Sequence, residues 1–269
     1  MGNPELIATR IIGEVRDGAS LSLVLEGSDG KAWDVKDSGP GPASELVEYL
    51  SIRLGIAAGL RILAPSLIRI TPSLFRNAVE IDPEVRERLL AGEGMHPAYP
   101  HHPEKIGYLA DNLEAVPEGE RLAIFLFDIL LLNGERTRAR PSLFFLDGAL
   151  HGSHYDSARA VQAAVAGLEA DEDEFLPELK RHPFYRENHS GMLFAEMIPR
   201  LERGALERIR TTVPYEWDDA FGPESKGGER TWELLGELFR NAPKILAARF
   251  AKLKAIVAGP EYLAGTASR

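Results

Sequence analysis

Cysteine is missing from all 269 residues. Its absence excludes disulfides, a thiolate nucleophile, iron–sulfur clusters and cysteine-ligated zinc. Positive charge is short as well: 31 Lys and Arg stand against 41 Asp and Glu, a formal net charge of −10. Binders of nucleic acid or of anionic membranes need a basic footprint, so neither partner is expected. A long hydrophobic run is also lacking. A membrane-spanning helix takes roughly 20 apolar residues, and the longest run here, 123–132, is interrupted by Asp128. Residues 1–6, Met-Gly-Asn-Pro-Glu-Leu, show neither the basic nor the apolar part of a secretory signal. A cytoplasmic protein is the expectation.

What is present suits a globular protein with a sizeable core: 44% of residues are hydrophobic and 27% charged. Residues 7–15 read as a strand that ends in a turn at Arg16-Asp17-Gly18. Leu21, Leu23 and Leu25 alternate with their neighbours, and a second turn at 27–30 leads into 31–36. This predicts an antiparallel meander of three strands. After Gly39-Pro40-Gly41-Pro42, Ser44 reads as an N-cap; Leu46, Leu50, Leu54 and Ala57 follow at helical spacing, and Gly59 marks the stop. A further strand is expected at 64–70 and a helix at 82–90, while 92–103, with three His, three Pro and two Gly, reads as loop. An apolar helix over 121–132, a hairpin around Asp147-Gly148 and helices at 158–169, 172–180, 190–197, 202–210 and 230–255 complete the pattern. Trp33, Trp217 and Trp232 read as core anchors. The last helix carries Arg240, Lys244, Arg249, Lys252 and Lys254, which read as a solvated basic face.

Two constellations carry chemistry. In the first, Gly18-Ala19-Ser20 joins two strands, Lys36 closes the third, and Glu45 and Glu48 stand on the helix that follows. Small residues let backbone N–H groups approach phosphates, a strand lysine pairs with phosphate oxygens, and a helix glutamate can hold that lysine. The same residues also fit a plain meander ending in a solvated lysine. In the second, the apolar helix ends in Asn133-Gly134-Glu135-Arg136-Thr137-Arg138-Ala139-Arg140-Pro141-Ser142, a hairpin follows, and then Tyr155-Asp156. An acid after a buried helix can accept a hydroxyl proton; a side-chain oxygen and a second acid can hold Mg²⁺. Glu135 fits equally an ion pair with Arg136, Arg138 or Arg140, three residues that make this loop basic. His96, His101 and His102, and the pair His151 and His154, lack the H-E-x-x-H spacing, so a histidine metal site ranks below both.

Over Asp17–Val24, Val35-Lys36, Leu46-Val47-Glu48, Arg53-Leu54, Gly59-Leu60, Ala64-Pro65 and Asn133–Phe144, the chain resembles the HipA-like protein kinases, in their short stand-alone branch. That branch carries a loop of the form Asn-x-Asp-Arg-Thr-x-Arg-Asn-Pro-Asn-Leu-Leu. Its later Ile-Asp-His-Gly metal motif falls here on Tyr155-Asp156-Ser157-Ala158. Ile198-Pro199 and Pro214-Tyr215-Glu216-Trp217 are similar to its downstream pattern. The resemblance implies an α+β, bilobal protein-kinase-like fold. A small antiparallel-β lobe with one helix would span 1–72, a connector and hinge 73–120, and a larger, mainly helical lobe with the catalytic loop 121–269.

The resemblance also implies ATP and Mg²⁺ as cofactors. Lys36 would contact phosphates with Glu48 as its helix partner, Glu45 competing; Gly18, Ala19 and Ser20 would cover the phosphates. Glu135 would take the base position, Arg140 would lie beside the phosphates, and Asp156 with Ser142 would hold the metal. The departures are Glu135 for the family's Asp, Arg140 and Ser142 for two Asn, and Ser157 for a His. A base displaced by about 1 Å can lose on the order of 100-fold in rate. The expectation is a Ser/Thr-kinase-related ATP-dependent phosphotransferase with a divergent loop, acting on a protein substrate. The alternative is an inactive pseudokinase that binds nucleotide or a protein partner.

Overall fold

The computed structural model describes residues 6–17, 20–36, 42–76, 81, 83–90, 94–102, 106–107, 116–137, 142–147, 149–152, 155, 157–185, 199–226 and 228–256. β1 (Leu6–Asp17), β2 (Ser20–Gly27) and β3 (Ala32–Lys36) form the expected meander. Its antiparallel ladders reach Asp17↔Ser20 at one turn and Glu26↔Ala32 at the other. Alternation places Leu23 and Leu25 opposite Val35 and Trp33. These four are buried in one cluster with Ala8, Ile68, Ile70 and Ala98.

The meander does not stay open. β4 (Ser66–Arg69) pairs parallel with β1 through Leu6↔Ile68 and Ile7↔Arg69, and antiparallel with β5 (Met95–Pro100), which pairs with β3. The order β1-β2-β3-β5-β4 closes a barrel, which removes the edges that an open meander would present. β5 corrects the expectation of loop over 92–103. Its prolines are tolerated because each is paired on one side: Pro97 with Leu67 of β4, Pro100 with Trp33 of β3. Gly94 leads in with φ +68°, and a Cβ there would run into the Ile70 carbonyl. That carbonyl belongs to the chain just after β4, so only glycine fits the approach.

α1 (Pro42–Ala57) begins at Pro42, two residues before Ser44, because proline's fixed φ suits the first helical position. Its Leu46, Leu50 and Leu54 join the larger core with residues of the helical half. α2 (Pro83–Leu90) covers the barrel through Val85 and Leu89. α3 (Glu118–Leu131) is the buried apolar helix, and β7 (Leu143–Leu146) and β8 (Ala149–Gly152) form the hairpin, with β6 (Ile106–Gly107) on its other edge. α4 (Arg159–Ala166), α5 (Glu172–Leu179) and α6 (Ala205–Arg210) follow. Residues 190–197, read as a helix, lie outside the described residues.

The pattern over 230–255 is not one helix. α7 (Glu229–Arg240) and α8 (Ala242–Ala255) meet at Asn241, and Pro243 lies in the first turn of α8, where its missing N–H is harmless. Nor is the basic face of α8 wholly solvated. Arg249 is only 4% exposed. Its Nη1 donates to the Ile129 and Leu130 carbonyls at 3.0 and 2.7 Å, and its guanidinium pairs with Glu172 at 3.0 Å. It thus adds side-chain donors to carbonyls of the last turn of α3, where the regular helical ladder ends. Trp33 and Trp217 are buried, and Trp232 packs at the core's margin. Among the described residues no helix is long and apolar enough to cross a membrane.

Candidate functional site

α3 ends in a Schellman turn. Leu132 takes the left-handed conformation (φ 55°), its N–H donates to the Ile129 carbonyl, and the Asn133 N–H reaches the Asp128 carbonyl at 2.9 Å. Glycine usually holds such a position; for leucine the conformation costs about 1–2 kcal/mol. The loop that begins here is met at its far end by Ser142, also left-handed at φ 46°.

Between these ends lies a buried charge cluster. Asp128 is fully buried on α3. Its Oδ1 accepts from Asn133 Nδ2 at 3.1 Å, and its Oδ2 accepts from Arg136 Nε at 2.6 Å and His182 Nε2 at 2.9 Å. Arg136, equally buried, also donates from Nη1 to the Ser142 carbonyl at 2.6 Å, and its guanidinium stands 5.1 Å from the centre of the Tyr155 ring. The Phe184 N–H donates to His182 Nδ1 at 3.1 Å, which places the ring proton on Nε2. Burial alone would raise the Asp128 pKa; the Arg136 charge and the His182 hydrogen bond outweigh it and hold the carboxyl below its ordinary value. Burial pushes Arg136 down, and the Asp128 charge more than restores it. His182 is pushed down by burial and stays neutral in the fold.

This geometry assigns the loop's residues. Arg136 is ion-paired with Asp128 and not with Glu135, which is exposed. The positive loop expected from three arginines therefore loses Arg136 to an internal partner. Gly134 packs so closely against α5 that a Cβ there would lie 2.7 Å from Glu178 Cβ. Asn133 forms an antiparallel bridge with Ala158, and the Ala158 N–H donates to the Tyr155 carbonyl at 3.2 Å. The start of the loop and the segment around Asp156 thus lie side by side. Asp156 itself, with Gly18, Ala19 and Arg140, lies outside the described residues.

In the barrel, Lys36 is half-buried at the end of β3 opposite Ser22, and Ser20 opens β2. Glu45 and Glu48 are both buried on α1. Glu45 Oε1 lies 2.7 Å from His96 Nδ1, while His96 Nε2 faces the Leu89 carbonyl at 2.7 Å. The carbonyl only accepts, so Nε2 carries a proton and Nδ1 faces the carboxylate. His101 is likewise engaged, 2.6 Å from Asp34 Oδ1. Among the described residues, no group of three or more His, Asp or Glu gathers in a way that could hold a metal ion.

Asp128 and His182 escaped the reading of candidate residues. The signal for Asp128 was present: one acid inside a nine-residue apolar stretch must find a buried partner. His182 carried none, since it meets Asp128 across 54 positions.

The family model described as HipA-like kinase matches residues 8–149. The match runs from β1 into β8 and takes in the barrel, α1, α3 and the loop. The chain belongs to the HipA-like kinase family. Comparison with curated proteins and with solved structures returns no match. Lys36, Glu48, Glu135 and Ser142 fall inside the matched span, and Asp156 lies beyond it.

Proposed function

We propose that the chain is an ATP-dependent phosphotransferase, Ser/Thr-kinase-related, with a divergent catalytic loop. Residues 1–72, with four of the barrel's five strands, would form a small lobe, 73–120, which supplies β5, a connector, and 121–269 a helical lobe, with ATP and Mg²⁺ in the cleft between the first and the last. The observation that carries this reading is the clamp on the loop. Asp128 holds Arg136, Arg136 holds the Ser142 carbonyl, and Glu135 is left exposed between them. A rigid scaffold that presents one acid to solvent is what a positioned base requires.

In this reading Lys36 contacts the phosphates. His96 occupies Glu45, so Glu48 is the acid of α1 assigned to Lys36. Gly18, Ala19 and Ser20 cover the phosphates, and Arg140 lends them charge. Asp156 and Ser142 supply oxygen donors, the chemistry that Mg²⁺ prefers. The metal would neutralise phosphate charge during transfer. Glu135 would take the proton of a hydroxyl on a protein substrate.

Titration of wild type and Lys36→Ala with ATP tests the binding half. Losing one charge-assisted contact should weaken binding by about 10–100-fold. Equal affinities would remove Lys36 from the site. Incubation with γ-labelled ATP and Mg²⁺ tests the transfer half: label should appear on the chain or on added protein and vanish in Asp156→Ala. The substitutions at Glu135, Arg140, Ser142 and Ser157 favour a second reading, a nucleotide-binding pseudokinase. Binding with no label under any condition would select it.

A further inference from the structure

We infer that Arg136 is a positioning residue that couples the base loop to the metal-binding segment; the inference rests on the phosphotransferase site proposed above. Its guanidinium reaches three parts of the site from one buried point. Nε is fixed by Asp128 at 2.6 Å, Nη1 holds the Ser142 carbonyl at 2.6 Å, and the guanidinium carbon lies over the Tyr155 ring, 5.1 Å from its centre. Glu135 precedes Arg136 and Asp156 follows Tyr155, so both acids are chain neighbours of groups that this one side chain touches. The Asn133↔Ala158 bridge ties the same two segments on their other side. A point charge on a flexible stem cannot meet two acceptors in a plane and lie over a ring at once, which is why lysine is no substitute.

Tyr155 takes part through its ring. Its hydroxyl is buried, and Gly152 leaves the space for it: a Cβ there would lie 2.7 Å from that oxygen. Phe127 meets the ring edge-on at 5.7 Å and fixes its tilt. Arg136 contacts neither substrate nor metal; it sets Ser142 and the residue beside Asp156 at a constant separation, so its loss acts on metal-dependent binding.

A fluorescent ATP analogue, titrated with Mg²⁺ and with EDTA, tests this on wild type, Arg136→Lys, Tyr155→Leu and Tyr155→Phe. In wild type Mg²⁺ should tighten binding. Arg136→Lys and Tyr155→Leu should lose about tenfold or more of that gain while their affinity in EDTA stays within about twofold, and Tyr155→Phe should behave as wild type. A full Mg²⁺ gain in Arg136→Lys, or a wild type that binds with no Mg²⁺ gain, overturns the coupling and leaves nucleotide binding standing. Equal loss in Tyr155→Phe and Tyr155→Leu overturns the role of the ring. A wild type that binds no nucleotide in either buffer sinks the functional reading and the coupling together. A purely structural Arg136 would instead weaken binding equally in both buffers.

Discussion

Inside the barrel the buried side chains are Leu23, Leu25, Trp33, Val35 and Ile68, whereas the core beneath α3 holds Asp128, Arg136, His182 and Arg249 among its leucines and phenylalanines. The difference follows the backbone. Barrel strands give their N–H and C=O groups to neighbouring strands, so apolar side chains are enough to fill the interior. At the end of α3 the chain leaves the helix, turns through Leu132 and runs as a loop. The Ile129 carbonyl then keeps only the turn's Leu132 N–H, Leu130 and Ser142 lie where the regular ladder ends, and a buried carbonyl short of donors is costly. Arg249 supplies donors to the first two and Arg136 to the third. At the end of α3, buried charge marks where regular backbone stops, which is also where the exposed Glu135 stands.

Breaking the cluster should have the largest effect. Asp128→Ala leaves the Arg136 guanidinium buried without its counter-ion and should cost about 3–5 kcal/mol in urea unfolding. Loss below about 1 kcal/mol would mean that the cluster is incidental. In the barrel, Leu25→Ala creates a cavity and should cost about 2–4 kcal/mol. Urea unfolding checks it, and a loss below about 1 kcal/mol would mean that the barrel repacks around the missing side chain.

Acid sharpens the comparison. His182 titrates lower in the fold than its ordinary value of 6.5, so the unfolded chain takes up a proton first. Its contribution is complete above about pH 6.5 and declines as the pH falls through the folded value. Asp128, also held low, contributes above about pH 4 and is lost at still lower pH. The melting temperature of wild type should therefore fall between pH 7 and pH 5 more than that of His182→Gln. Parallel curves would contradict the assignment of a neutral, Nε2-protonated ring. The smallest effect concerns backbone strain alone: Ser142→Asn places a residue that tolerates positive φ at φ 46° and should stabilise the chain by about 0.5 kcal/mol, or leave it unchanged.

The local signals were legible where one period dominates. Leu21, Leu23 and Leu25 marked a strand of the meander, Leu46, Leu50 and Leu54 the face of α1, and the apolar run to Leu132 the buried α3. β5 was not, because proline and histidine describe a strand poorly and its pairing with β3 and β4 brings together residues more than 60 and about 30 positions apart. The split of α7 from α8 was written in Pro243, yet the charge pattern ran through it without a break. For the site, the resemblance put forward Lys36, Glu48, Glu135 and Ser142, which fall in the span that the family model matches. Of the loop's three arginines, Arg136 was overread, since it reads as free charge until its partner is known.

By itself the sequence determined the types and order of most elements, because hydrophobic period, turn residues and caps act over a few positions. It also carried the family, since the loop motif keeps its residue order even where single residues depart from it. Only the tertiary structure decided that the meander closes into a barrel, that His96 engages Glu45, and that Asp128 gathers Asn133, Arg136 and His182. Those outcomes depend on which groups meet in a medium without water, the strands of the barrel, His96 with Glu45 and His182 with Asp128 across long separations. There an unmatched charge or carbonyl is expensive enough to select its partner.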